Sequence, residues 1–186
     1  MNRINRLIFA CLFAVVAVSA QGKSMHFGIH VGLGYAGLNH AEEVEELLDG
    51  ETGKLLAAIG GVVSMPLSDA LTFTPELLFS YAAMPGERPY DVRFDIPVLL
   101  RFYALDYFFL QFGPQLGFSV AYVDDSGKSN KYRNTFDAGP VFGLGYLIDS
   151  NTSIDIRYYY GVTKYFDVDE ARAQSFQITA GFSYLF

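Results

Sequence analysis

Ionisable residues stand alone between apolar neighbours in several segments of this sequence, most clearly where Asp91, Arg93, Asp95 and Arg101 alternate with apolar side chains. The residues that share this pattern are Glu76, Asp91, Arg93, Asp95, Arg101, Asp137, Asp155 and Arg157. Such groups could form an ion path, supply a catalytic carboxylate, or pair with one another. Because charges in a low-dielectric interior need partners, three arginines and five acids favour a structural charge network.

The histidines offer little for catalysis or metal binding. An enzyme that modifies lipid A would need a Ser–His pair with a carboxylate, yet only His40 lies in a predicted loop and no serine stands convincingly beside it. His26 and His30 are separated by about 13 Å in an extended chain, which is too far for one metal ion. The sequence therefore predicts no catalytic residue and no metal site.

A glycine motif, Gly32-Leu-Gly-Tyr-Ala-Gly37, matches the dinucleotide-binding fingerprint. That fingerprint acts only within a parallel strand–helix–strand unit, and nothing downstream supplies one. Glycines that alternate along the polar face of a strand explain the same letters. We therefore expect no cofactor.

The elements that carry these residues alternate apolar and polar side chains with a period of two, which indicates β-strands with one apolar face. The sharpest alternation sets Val92, Phe94 and Ile96 against Asp91, Arg93 and Asp95. Eight such segments are predicted: Met25–Gly37, Leu55–Met65, Leu71–Ala82, Asp91–Tyr103, Tyr107–Tyr122, Thr135–Ile148, Ser153–Tyr165 and Phe176–Phe186. In the second, Ile59, Val63 and Met65 are expected to face outward.

Connections between the predicted strands are alternately short and long, and no segment after residue 20 has twenty uninterrupted apolar residues. This pattern predicts an all-β fold, an eight-stranded antiparallel up-and-down transmembrane β-barrel over residues 21–186, with its apolar face toward lipid. Eight strands leave a lumen only wide enough for side chains. A soluble lipocalin-like lipid carrier is the alternative, but it would carry its apolar face inward.

The first 20 residues predict export. Arg3 and Arg6 precede an apolar segment of about twelve residues, and Val18-Ser-Ala20 provides a cleavage site, which is typical of a Sec signal peptide and too short for a membrane anchor. Cleavage removes Cys11, the only cysteine, and leaves 11 basic against 20 acidic residues, a net charge of −9. Such acidity argues against nucleic acid as a partner.

The segment between the first two predicted strands, 38–54, is acidic, and Ala41–Leu48 reads as a short amphipathic helix. It is either a solvated loop or a site of cation-bridged contact with lipopolysaccharide or a partner protein. At the other end of the chain, Phe182, Tyr184 and Phe186 resemble the signal read by the barrel-assembly machinery. Both features are consistent with the outer membrane of a Gram-negative bacterium.

Four segments in order, Thr74–Tyr81, Phe94–Tyr103, Phe112–Gly117 and Arg157–Gly161, resemble the porin-like outer-membrane β-barrel family of Bacteroidetes and related bacteria, also called PorT-like. The resemblance spans roughly residues 27–186. It implies an eight-stranded barrel, and for the PorT branch secretion-system components as partners, but no substrate.

Together these observations predict a non-enzymatic integral barrel with a structural, adhesive or secretion and assembly role. Its partners would be outer-membrane lipid, lipopolysaccharide and, during insertion, the assembly machinery. A small-solute pore is the alternative function. A lipid A-modifying barrel enzyme and a soluble lipocalin-like lipid carrier are further alternatives.

Overall fold

The computed structural model of the chain describes residues 25–39, 53–83, 90–123, 135–163 and 174–186. The predicted signal peptide 1–20, the acidic helix 41–48 and His40 lie outside the described residues. No helix in the described ranges is long and apolar enough to cross a membrane.

Eight antiparallel strands close into a barrel in the order β1 to β8, with β8 returning to β1. The strands are β1 His26–Asn39, β2 Gly53–Pro66, β3 Leu71–Ala83, β4 Tyr90–Leu105, β5 Phe108–Val123, β6 Phe136–Leu147, β7 Thr152–Tyr160 and β8 Gln174–Leu185. The predicted fold class is confirmed. The end of β7 is a correction, because the strand stops at Tyr160 instead of Tyr165, and Gly161 and Val162 follow it without forming a strand.

The two faces of each strand meet different surroundings. On β4, Phe94 and Phe102 are exposed on the outside, whereas Arg93 and Arg101 are buried inside. Large apolar side chains are exposed on every strand of the barrel, as expected of a surface that meets lipid. The prediction that Met65 faces outward is wrong, because its side chain is buried with 2% exposure. Met65 pairs with Phe73 of β3, next to the 67–70 turn.

Three short turns lie at one end of the barrel. They comprise residues 67–70, 106–107 and 148–151. The start of β1 and the end of β8 lie beside them. In the third turn the backbone N–H groups of Asn151 and Thr152 each donate to Asp149 Oδ1 at 2.8 Å. These hydrogen bonds hold the pKa of the Asp149 carboxyl below its usual value, and the bond from Asn151 makes the largest contribution. We call this the turn end and the opposite one the loop end.

The chain closes the barrel with its last residues. Twelve pairs join β1 and β8, from Gly28 opposite Leu185 to Asn39 opposite Gln174. Beyond them the N–H of Phe186 donates to the carbonyl of Phe27 at 2.7 Å, and the Phe186 ring packs edge-on against Tyr184 with centroids 5.7 Å apart. Phe182, Tyr184 and Phe186 are all exposed on the outer surface.

Replacing Phe186 by Asp should lower the amount of protein in the outer membrane and increase its degradation in the periplasm. The substitution removes the terminal aromatic of the expected assembly signal and puts a charge where the barrel closes. Cell fractionation with a heat-modifiability gel measures both effects, with Phe186→Tyr as the matched control. Normal insertion of the Asp variant would contradict the role given to β8.

Prolines stand in four neighbouring strands, as Pro75 in β3, Pro97 in β4, Pro114 in β5 and Pro140 in β6, the last two directly opposite each other. A proline has no N–H to donate to the sheet. The ladder between β3 and β4 skips from Pro75–Val98 to Leu78–Asp95, and the ladder between β4 and β5 skips from Pro97–Gln115 to Leu100–Phe112. The wall from β3 to β6 therefore holds fewer hydrogen bonds at mid-height than the continuous β1–β8 seam.

Hydrogen exchange should reveal this difference. Peptides covering residues 96–100 and 111–115 should exchange about tenfold faster than peptides covering 29–33 and 178–182, since one missing hydrogen bond corresponds to roughly that factor. Exchange mass spectrometry of the folded barrel in detergent measures the rates. Equal protection of the two walls would show that the prolines do not weaken the sheet.

Candidate functional site: the charge network of the lumen

The centre of the network is Arg157, which is almost fully buried on the inner face of β7. Its guanidinium holds Glu76 of β3 with two bonds, Nη1 to Oε2 at 2.6 Å and Nη2 to Oε1 at 3.0 Å. It also donates to both oxygens of Asp155, from Nε at 2.7 Å and Nη2 at 3.1 Å. Paired geometry of this kind is the strongest arrangement for buried charges. Arg157 therefore satisfies two carboxylates at once.

His30 joins the same layer. Its Nδ1 lies 2.8 Å from Ser183 Oγ and 3.3 Å from Arg157 Nη2. Because a guanidinium can only donate, Nδ1 acts as an acceptor toward Arg157, which places the proton of a neutral ring on Nε2. The sequence did not predict this Ser–His contact, since 153 residues separate the two side chains.

Arg101 lies nearer the turn end and is less well paired. Nε donates to Gln111 Oε1 at 3.2 Å, and the guanidinium lies over the Phe109 ring at 4.9 Å from its centroid. Nη2 is 3.5 Å from Glu76 Oε1, without a hydrogen bond. Arg101 is thus held by stacking, by one neutral amide oxygen, and by an ion pair with Glu76 that lacks a hydrogen bond.

A second layer occupies the loop end. Arg93 Nη2 contacts Asp95 Oδ1 at 3.1 Å and Asp137 Oδ2 at 3.4 Å. Asp137 also accepts from Thr163 Oγ1 at 2.5 Å and from the hydroxyl of Ser175. Asp91 is buried on the same face of β4. This layer ties β4, β6 and β8 to the residues that follow β7.

Lumen-facing glycines provide the space for these side chains. A Cβ at Gly117 would collide with Arg93 and Asp95, one at Gly181 would collide with His30, and one at Gly145 would collide with the Phe109 ring. These three glycines therefore serve packing inside the barrel.

An apolar plug separates the two layers. Leu99, Val141 and Tyr159 pack together at 0–2% exposure. Beside them a cavity of about 30 Å³ is lined by His30, Asp95 and Arg157, among others. That space suits one or two water molecules and no larger ligand. In the described part of the chain, no group of three or more acidic, histidine or cysteine side chains could hold a metal ion.

At the turn end the lumen opens into a vestibule of about 670 Å³. Arg101 lines it, and exposed Asp69 and Asp106 lie among its turn residues. His26, predicted to face into the lumen, lines this vestibule and is exposed there, unlike buried His30.

All eight predicted network residues lie buried on the inner face. The structure joins Glu76, Asp155, Arg157 and Arg101 in one layer and Arg93, Asp95 and Asp137 in the other. Sequence reasoning missed Ser183, Ser175, Phe109 and the plug residues Leu99 and Val141. Their only local signal was their position on the polar face of a strand.

A comparison with protein families places this barrel among known ones. Residues 19–167 match the family described as outer membrane protein beta-barrel domain, which is most of the chain. The chain belongs to that family. As a member of the outer membrane protein beta-barrel domain family it resides in the outer membrane of a Gram-negative bacterium. The narrower PorT-like resemblance is not tested by this match.

Solved structures show the same fold. Neisserial surface protein A is 15% identical, with a TM-score of 0.62 over 88% of this chain and 100% of that one. Ail, the attachment invasion locus protein of Yersinia pestis, is 12% identical, with a TM-score of 0.52 over 87% of this chain and 98% of that one. No curated protein matches the sequence significantly.

Proposed function

We propose that this family member is a closed, non-enzymatic barrel that anchors surface-exposed connections in the outer membrane for an adhesive or secretion and assembly role. The observation that supports this proposal is the lumen, which is filled by two charge layers and an apolar plug. A barrel whose centre is occupied by its own side chains can contribute rigidity and a platform, but has no continuous path for transport.

Closure argues against a pore. The layer around Arg157, the plug around Leu99 and the layer around Arg93 succeed one another along the axis, and the cavity between them is about 30 Å³. An ion would have to leave water and pass buried, paired charges.

The same geometry argues against an enzyme that modifies lipid A. The His30–Ser183 pair is buried, and His30 Nδ1 is already engaged by Arg157. The adjoining cavity cannot accept an acyl chain. A serine nucleophile would need both a free base and a substrate path.

Partners are expected at the loop end. Four connections join strands there, residues 40–52, 84–89, 124–135 and 161–173, and the first contains Glu42, Glu43, Glu45 and Glu46. Acidic side chains favour a basic partner or a contact with lipopolysaccharide bridged by divalent cations. A component of a secretion system, as the PorT resemblance implies, would fit the same surface.

In planar bilayers the purified barrel should give no large, stable conductance steps. The charge layers and plug close the path, so only brief leak events are expected. The control is Leu99→Gly combined with Val141→Gly, which removes plug side chains and should increase leak without opening the charge layers fully. Steady porin-like steps from the wild-type monomer would replace the closed-barrel proposal with a pore.

Cross-linking in whole cells, followed by capture from detergent-solubilised outer membranes, tests the platform role. We expect a specific partner that is lost when the four glutamates of the first connection are changed to glutamine. A variant with Asp69→Asn and Asp106→Asn at the turn end removes two negative charges away from that surface. Loss of the partner in this control as well would contradict the proposed surface.

A further inference from the structure

The end of β8 is held by different elements on its two sides. In an antiparallel ladder the polar groups of successive residues point to opposite neighbours. The N–H of Phe186 donates to the carbonyl of Phe27 on the β1 side at 2.7 Å, whereas the N–H of Leu185 points the other way, to the turn between β6 and β7. The hydrogen bonds of Leu185 therefore depend on that turn.

A single residue of the turn, Asn151, makes both contacts with Leu185. The N–H of Leu185 donates to the backbone carbonyl of Asn151 at 2.8 Å. The carbonyl of Leu185 accepts from the side-chain Nδ2 of Asn151, also at 2.8 Å. In a regular hydrogen-bonded pair the second bond would come from the backbone N–H of Asn151. Here the side-chain amide replaces that backbone donor.

The local structure of the turn explains the replacement. The backbone N–H of Asn151 is turned toward Asp149 and donates to its Oδ1 at 2.8 Å, a bond typical of turns that an aspartate begins. The side-chain amide of Asn151 is oriented by Ser150, whose hydroxyl donates to Oδ1 at 2.7 Å. Nδ2 is thereby directed to the Leu185 carbonyl.

The other two turns contact the neighbouring strand through backbone carbonyls. The N–H of Tyr103 donates to the carbonyl of Ala70 at 2.9 Å, and the N–H of Leu147 donates to the carbonyl of Tyr107 at 2.7 Å. The bond from Leu185 to the Asn151 carbonyl is of the same kind. The turn between β6 and β7 adds the side-chain bond to it.

We propose that Asn151 is a clamp for the closing strand, and that its side-chain amide keeps the end of β8 paired at the turn end of the barrel. Strand ends otherwise open locally at little cost in free energy. An asparagine suits the position because it is neutral and can donate, whereas an aspartate of the same shape cannot. The clamp acts on the strand that carries Phe182, Tyr184 and Phe186.

Amide hydrogen exchange, followed by NMR on the folded, isotope-labelled barrel in detergent micelles, tests the clamp. Asn151→Ala should raise the exchange rates of the Leu185 and Phe186 amides about three- to tenfold, as expected for the loss of one hydrogen bond. The amides of Val31 and Phe182, which pair with each other farther along the seam, should change by less than about twofold, because the opening is local.

Two further variants separate the donor from other effects. Asn151→Asp keeps the shape of the side chain but puts an oxygen in place of the donating nitrogen, so its effect should be at least as large as that of Asn151→Ala. Ser68→Ala shortens an exposed side chain in the turn between β2 and β3 at the same end, and should leave the Leu185 exchange rate unchanged. Heat-modifiability on gels checks that each variant is folded.

Faster exchange that is confined to Leu185 and Phe186 in both Asn151 variants supports the proposal. Unchanged exchange at Leu185 in either variant, or the same acceleration in Ser68→Ala, would overturn it. Equal acceleration at Val31 and Phe182 would also overturn it, because it would indicate a general loss of stability. If Asn151→Ala does not fold, the Leu185 exchange rate in Asn151→Asp decides by the same criteria.

Discussion

Replacing Arg157 by Met should lower the free energy of unfolding by about 3–5 kcal/mol, the largest loss expected from any single change inside the barrel. The substitution keeps most of the volume but leaves Glu76 and Asp155 buried without their cation. Both carboxylates rely on Arg157 for charge-assisted bonds of 2.6–3.1 Å. Urea titration in lipid vesicles, followed by circular dichroism and gel mobility, measures the change.

Arg101→Met is the matched control, since it removes a buried arginine with no hydrogen-bonded carboxylate. Its loss should be clearly smaller. Adding Glu76→Gln and Asp155→Asn to Arg157→Met should restore part of the stability by removing the uncompensated charges. Equal losses for the two arginines would contradict the assignment of Arg157 as the centre of the network.

Replacing Val98 by Arg should cost about 2–4 kcal/mol, as expected for a cation on the lipid face near the membrane midplane. Val98 lies in the middle of β4, on the outward-facing set of residues, opposite Pro75 of β3. The loss should appear as a lower urea midpoint and as less folded protein in vesicles.

Leu105→Arg places the same cation at the turn end of the same strand, where Leu105 is 71% exposed. The cost there should fall to about 0–1 kcal/mol, because charges near the interface keep their hydration. A similar cost at both positions would mean that the exposed face of β4 does not meet a hydrocarbon core.

Much of the fold could be predicted because strand alternation is a local property. In β4 the alternation between immediate neighbours predicts the face on which each side chain lies. Arg93 and Arg101 were therefore assigned inward and Phe94 outward without knowledge of any partner strand. The even number of strands and the alternation of short and long connections then implied closure. Met65 and the early end of β7 were missed, since both lie at strand ends, where turns and neighbouring strands outweigh alternation.

Partner choice could not be predicted in the same way. A period of two is unchanged when one strand slides by two residues along its neighbour, so the sequence leaves open which inward charges meet. Register and strand tilt bring Glu76 to Arg157, 81 residues away, and Ser183 to His30, 153 residues away. The same geometry leaves Arg101 beside the vestibule with stacking but without a hydrogen-bonded carboxylate.

The sequence by itself determined the strands, their inner and outer faces, and the identity of the eight charged residues in the lumen. Only the tertiary structure decided that these charges form two layers separated by Leu99, Val141 and Tyr159, and that Gly117 and Gly181 provide the space for them. The physical reason is that the face on which a side chain lies depends on its neighbours along the chain. Which charges pair, and where cavities form, depends on how a closed barrel aligns residues from different strands.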